Sequence, residues 1–324
     1  MSKYWLLIFC GAFLFSCQSS PQDPQPDDAI DEPPKVDVPV DDEVSPTEPT
    51  CYLKTMKGGY SHSGEVNSIS TYSYDENKRL ISVVDQNLNP EYTTVETYIY
   101  NEKGQCVAME YTGTEVEGKM GHTYTYDELG RLSKVYLDLQ GEAANSRVGR
   151  TLKDNFFKQF FGVAHQRQKQ VNESNETITL IYEGAEEYPS QISISYNLDG
   201  ELIIHTNDLV LENGNLVHFS DTYIDQDGQE VFREVICEYD DKPLILSQLP
   251  QGERVISGLV YENNLIHTHI KENGVSQFEQ FFNYEYDEEG KAISGTYAME
   301  HYSDGISGGY EEYGFGIFEY ECND

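Results

Sequence analysis

Positive charge is scarce in this chain. Its 21 lysines and arginines stand against 57 aspartates and glutamates, for a formal charge of −36 over 324 residues. Such a surface repels phosphate, which excludes nucleic acid as a partner, because nucleic-acid binders present basic footprints. It also argues against docking of the folded part on anionic lipid and suits a solvated, self-repelling surface. Tryptophan is rarer still: Trp5 is the only one, so a tryptophan platform for sugars is missing from the rest of the chain. The one long apolar stretch, residues 4–15, is too short to cross a bilayer core of roughly 30 Å as a helix. No Gly-rich phosphate loop, HExxH, GxSxG or CxxC occurs, and no carboxylate pair stands out among so many acids as a glycosidase dyad. No catalytic residue, cofactor or metal set is therefore assigned.

The N-terminus is informative. Lys3 precedes the apolar stretch, which ends in Leu14-Phe15-Ser16-Cys17, the layout of an export signal. These four residues resemble a bacterial lipobox, which implies that residues 1–16 are a signal peptide and that Cys17 is lipidated and anchors the chain. Residues 18–50 then carry eight prolines and ten acids against one base, Lys35. That composition cannot bury enough apolar area to fold, and it favours an extended tether that could reach up to roughly 100 Å. Residues 17–50 are read as lipidated cysteine plus spacer, and 51–324 as the folded domain.

From residue 51 the chain repeats itself. Thr71-Tyr-Ser-Tyr-Asp-Glu-Asn-Lys-Arg-Leu80, Thr97-Tyr-Ile-Tyr-Asn-Glu-Lys-Gly-Gln-Cys106 and Thr123-Tyr-Thr-Tyr-Asp-Glu-Leu-Gly-Arg-Leu132 align without gaps, and Phe282–Lys291 is a fourth copy. Tyrosines two apart, a polar turn and an apolar restart describe a strand, a turn and a returning strand. Further turn signals fall at Asp199-Gly200, Asn213-Gly214, Asp227-Gly228 and Asp241-Lys242, at a constant fourteen-residue spacing. Asp-Gly and Asn-Gly supply the positive φ angles of two-residue hairpins, and Pro243 is placed at the start of a strand. Looser turns fit Asn87–Pro90, Thr112–Thr114, Glu272–Gly274 and Asp304-Gly305.

The segment Tyr124-Thr-Tyr126-Asp127-Glu-Leu-Gly130-Arg131-Leu132 resembles the YD repeat of RHS-type proteins, whose units build a curling sheet or shell. The acidic, proline-rich, lipid-anchored lead-in is similar to that of Bacteroidota-type surface lipoproteins of unknown function. The expected fold is all-β: a long antiparallel meander of YD/RHS-like hairpins forming a curled sheet, with one short helical insertion.

That insertion is expected at about 139–173. Thr151-Leu-Lys-Asp154 reads as a capping box for a helix through Phe161, ended by Gly162. Leu152, Phe156 and Phe160 recur at i, i+4 and i+8, widened by Phe157 and Phe161. Arg147, Arg150, Lys153, Lys158, Arg167 and Lys169 face a single acid, Asp154, in the only basic stretch of an acidic chain. Packing on the sheet is the simpler use of four phenylalanines. Arg147, Arg150, Lys153, Phe156, Phe157, Phe160 and Phe161 are the residues for docking a partner or an anionic glycan, should one bind.

Cys51, Cys106, Cys237 and Cys322 allow three pairings. A staple joining Cys51 to Cys322 and free buried thiols are both open. His267-Thr-His269 places two imidazoles on one strand face, which could serve zinc, but no third ligand is identifiable and none is assigned. The expected function is a lipid-anchored, non-enzymatic binding or scaffold module of the outer membrane, at the cell surface or periplasmic face, for a glycan or partner protein. An accessory subunit docking through 147–169 and a glycan-active hydrolase are the alternatives.

Overall fold

The computed structural model describes residues 51–89, 91–114, 119–140, 176–184, 186–198, 201–224, 229–256, 262–303 and 305–322. The lipobox with Cys17, the tether, and the sites named at Arg147, Arg150, Lys153, Phe156, Phe157, Phe160 and Phe161 lie outside the described residues, as do Asp199-Gly200 and Asp227-Gly228.

The strands follow in chain order: β1 (Cys51–Tyr60), β2 (Val66–Tyr74), β3 (Leu80–Leu88), β4 (Glu91–Tyr100), β5 (Cys106–Gly113), β6 (Lys119–Tyr126), β7 (Leu132–Gln140) and β8 (Glu176–Ile181). The second half continues with β9 (Gln191–Leu198), β10 (Glu201–Glu212), β11 (Asn215–Ile224), β12 (Glu230–Pro243), β13 (Asn263–Glu272), β14 (Val275–Tyr286), β15 (Ala292–Ser303) and β16 (Ile306–Cys322). A short helix, α1 (Gln251–Ile256), lies between β12 and β13.

Each strand pairs antiparallel with its chain neighbours, and β16 returns to β1, so the sheet is a closed barrel of sixteen strands. This corrects the expected curled sheet, whose hairpin pattern does not decide between open and closed edges. An open sheet would leave β1 and β16 with unpaired backbone edges. Here the seam pairs them from Cys51↔Cys322 to Tyr60↔Gly314. A Cys51–Cys322 disulfide clasps one end of that seam, while Cys106 and Cys237 are free and buried.

The YD motif has a clear physical basis. In all four copies the side chain of Asp75, Asn101, Asp127 or Asp287 accepts hydrogen bonds from the backbone N–H groups two and four residues ahead, at 2.8–3.0 Å. That folds the chain so tightly that the third residue after it takes a positive φ: 62° at Lys78, and 81°, 82° and 81° at Gly104, Gly130 and Gly290. A bulge follows each turn, where the register skips Ile81, Val107, Ser133 and Ile293 on the returning strand.

The tyrosine before the turn then reaches back along the ring. Tyr74, Tyr100, Tyr126 and Tyr182 donate their hydroxyls to the carbonyls of Leu53, Leu80, Cys106 and Leu132, at 2.7, 2.7, 2.6 and 2.8 Å. Arg79 lies over the Tyr100 ring at 4.7 Å and Arg131 over Tyr182 at 4.2 Å, each worth about 0.5–1 kcal/mol where exposed. One rim of the barrel is thus stapled hairpin to hairpin. We call this the tyrosine rim.

Alternation sorts the faces. Inward residues such as Tyr72, Val83, Tyr98, Met109, Tyr124, Val135, Ile178, Ile194, Phe219, Val235, Ile270, Phe282 and Phe318 form one continuous core. Leu244, Ile245, Leu246 and Val255, from the segment between β12 and β13, belong to the same core. Glu253 of α1 contacts His122 and Tyr124 on β6, across the ring from β12, so this segment crosses the interior as a plug.

The plug corrects the expected turn at Asp241-Lys242. Pro243 ends β12 instead of starting a strand. Asp240 accepts the N–H groups of Lys242 and Asn264 at 2.9 and 3.2 Å, which bends the chain off the sheet there. The helix expected at 151–161 lies outside the described residues; of the 139–173 insertion only Leu139 and Gln140 are described, and they end β7.

Candidate functional site

Rows of mainly small and polar residues run across the outward face of the earlier strands, with single large apolar residues such as Ile99, Ile181 and Ile204 exposed among them. Ser73, Ser82, Thr97 and Glu110 form one continuous row across β2–β5, and Thr123, Tyr136, Thr177 and Ser195 another across β6–β9. The face changes character at β12–β16. There the row runs Glu238, His267, Phe281, Ala298, and the next runs Ile236, His269, Glu279, Glu300, Tyr310.

These side chains interlock. His267 stacks on Phe281 with ring centroids 4.9 Å apart and planes 20° from parallel, and Phe281 meets the exposed Tyr310 at 5.7 Å. Glu279 is the hub. Its Oε2 lies 2.8 Å from His267 Nε2, and its Oε1 accepts the Tyr302 hydroxyl at 2.8 Å. Glu238 Oε1 lies 3.3 Å from His267 Nδ1, and Ser276 Oγ lies 2.9 Å from His269 Nε2. Burial works to raise the Glu279 pKa, but the hydrogen bonds from Tyr302 and His267 and the two nearby imidazoles outweigh it and hold the carboxyl below its ordinary value. Burial lowers the His269 pKa, with a smaller contribution from Lys271 in the same sense, against the attraction of Glu279. Chemically the strip offers stacked rings edged by carboxylate, hydroxyl and imidazole.

Sequence reasoning saw His267 and His269 as a pair and missed Glu279. Folding the chain about Asn273-Gly274 sets β14 against β13, and the bulge between Ile270 and Lys271 then places Glu279, in place of Phe278, opposite His269.

A second cluster lies inside. Asp85, Glu96 and Glu253 approach one another beneath Tyr98, His122 and Tyr124. Tyr98 donates to Glu96 at 2.6 Å, His122 Nδ1 lies 2.9 Å from Glu253 Oε1, and the Tyr124 hydroxyl donates to the same oxygen. Burial raises the Glu96 pKa and the charges of Asp85 and Glu253 raise it further, while burial also raises Asp85. Separated titrations of this kind suit acid–base chemistry. Glu253, however, is engaged in holding the plug, which blocks this part of the interior. A surface cavity of about 500 Å³ sits between the turns at Asn101–Gln105 and Asp127–Gly130 on the tyrosine rim, but its walls are repeated turn residues.

No family model matches the chain, and no curated protein matches its sequence. Among solved structures, it is similar to a porin-like protein from Bacteroides uniformis (TM-score 0.46, 12% identity, covering 83% of this chain and 96% of that one). It is similar also to a porin-like protein from Bacteroides vulgatus (TM-score 0.44, 9% identity, 83% and 98% covered). A structure of TcdB2-TccC3 without its hypervariable C-terminal region aligns with 84% of this chain but only 14% of its own, at 11% identity and a TM-score of 0.31.

Proposed function

We infer that this protein is a lipid-tethered binding module of the bacterial envelope, whose barrel stands outside the bilayer and whose ligand surface is the strip on β12–β16. The observation that carries the reading is the polarity of the two faces. A membrane barrel turns an apolar band about 25 Å tall outward and keeps a polar interior. This barrel turns charge outward within its strands, at Lys57, Glu110, Glu234 and Glu279, and fills its interior with an apolar, tyrosine-rich core beside buried pairs such as Arg233 with Asp221. An Arg or Lys facing lipid at the midplane costs about 2–4 kcal/mol. Membrane attachment is assigned to Cys17 and the tether instead.

The ligand class is a glycan, because Phe281, Tyr310 and the His267 ring give stacking surfaces flanked by hydrogen-bonding Glu238, Glu279 and Tyr302. A binding role also fits an interior closed by the plug better than hydrolysis does. Limited proteolysis of the envelope-bound protein tests the placement: cleavage within 18–50 should release a folded barrel into water without detergent. A fragment that stays in the membrane would overturn it. Probing a glycan array with the released barrel and its Phe281→Ala and Tyr310→Ala variants tests the ligand class, with loss of signal expected in both variants.

A further inference from the structure

The sequence offers two imidazoles and no third ligand; the fold supplies one. Alternate residues of a strand share a face, so His267 and His269 both point outward from β13, and the register sets Glu279 of β14 directly opposite His269. We propose that His267, His269 and Glu279 form a binding site for one divalent transition-metal ion, zinc being the natural occupant.

As the side chains stand, no three such groups converge on one point among the described residues. The reason is that Glu279 spans the two rings with separate oxygens, Oε2 at 2.8 Å from His267 Nε2 and Oε1 at 3.8 Å from His269 Nε2. Ligand atoms on tetrahedral zinc, with bonds near 2.0–2.1 Å, lie about 3.4 Å apart. The Oε2–His267 separation must therefore open by about half an ångström, and the ring centroids, now 6.4 Å apart, must approach by roughly 1 Å so that His269, now nearer Oε1, reaches the same ion. A shift of this size is of the order that rotation about glutamate and histidine side-chain bonds provides.

The surroundings fit a metal more closely than the three ligands alone. Glu238 faces His267 Nδ1, the carboxylate–imidazole arrangement that fixes a ligating ring with Nε2 directed at the ion and strengthens it as a donor. Tyr302 orients Glu279 through Oε1, leaving Oε2 toward the rings. Two imidazoles and one carboxylate suit zinc and its neighbours in the transition series, not the all-oxygen shells of calcium or magnesium. Three protein ligands leave a fourth position on the solvent side, beside Phe281, where an oxygen of a bound ligand could complete the shell.

This inference deepens the reading of the strip as a binding surface, yet its test needs no glycan. Full-length protein, dialysed against EDTA and then buffer, is titrated with zinc chloride by calorimetry and with cobalt(II) by visible absorption. One ion per chain is expected, with the intense bands of a four-coordinate cobalt site. His267→Ala and His269→Ala should each weaken zinc by roughly tenfold or more, and Glu238→Gln by about tenfold through the orienting contact. His62→Ala, elsewhere on the surface, should change nothing. Absence of zinc uptake at micromolar concentration, or uptake equal in wild type and in the His267→Ala/His269→Ala double variant, overturns the metal site. Loss of array binding in Phe281→Ala alongside such a failure would leave the binding surface standing and the metal refuted.

Discussion

The wall made of β2–β7 and the wall made of β12–β14 solve the same problem differently. In the first, each hairpin on the tyrosine rim repeats one device: an acidic or amide side chain closes the turn, a residue with positive φ follows, and a tyrosine hydroxyl staples the rim to the carbonyl of an earlier strand. In the second, Tyr239 still staples to the Leu216 carbonyl at 2.7 Å. Tyr286, though it stands before a turn of the same form at Asp287, donates instead to Asp240, and the Asn264 amide reaches its oxygen at 3.2 Å. The departure falls where the chain leaves the sheet to make the plug. Repetition builds the ring, and the interruption of repetition supplies the parts found nowhere else: the plug, and beside it the histidine–glutamate strip.

The two walls are closed into one object by the seam, so its clasp should matter most. Replacing Cys51 and Cys322 together with alanine is expected to cost about 2–5 kcal/mol of stability, read by chemical denaturation, because it frees a very long loop in the unfolded chain. A loss below about 1 kcal/mol would mean that strand pairing alone carries the closure.

The staples themselves can be compared next. Tyr126→Phe removes a hydroxyl bonded to a neutral carbonyl and should cost about 1 kcal/mol, whereas Tyr286→Phe removes one bonded to a carboxylate and should cost about 1.5–3 kcal/mol. Equal losses in thermal melts of the two variants would erase the distinction between repeated and interrupted hairpins.

The last effect concerns Asp85 and Glu96, buried acids that face Glu253 of the plug. The Glu96 and Asp85 pKa values are raised in the folded state, so as pH climbs from the ordinary carboxylate range the unfolded chain loses these protons first. The folded state then binds more protons than the unfolded one, and stability falls as pH rises. Melting at about pH 8 should be lower than at about pH 5, with Glu96→Gln removing on the order of 1–2 kcal/mol of that difference. A variant whose pH dependence matches wild type would show that Glu96 is not the strained group.

Much of this architecture was legible because turn chemistry is local. Asp127 with Gly130, and Asn213 with Gly214 at φ 51° and 78°, act through neighbours in the chain, so their residue types announce them. Ring closure was not legible, since a hairpin pattern fixes which strands are neighbours but not the tilt and stagger that bring the last edge to the first. Cysteines at both ends of the folded region hinted at it. The plug was hidden by Asp241-Lys242, which keeps the fourteen-residue frame of a turn while Asp240 bends the chain inward. Glu279 was hidden for another reason: a ligand set drawn from two strands depends on their register, and the bulge between Ile270 and Lys271 shifts that register by one.

Fifteen of the sixteen junctions in this ring join strands adjacent in the chain; the seam joins residues 271 apart in sequence. The order of assembly follows from that asymmetry. Hairpins can zip one after another as the chain arrives, each new strand adding to the edge just made, and every such step carries a small loop-closure cost. The final pairing has no partner until β16 is present, so the growing sheet carries two open edges for almost the whole of its synthesis. During that interval the exposed margin of β1 is the place where a second nascent chain could pair in error.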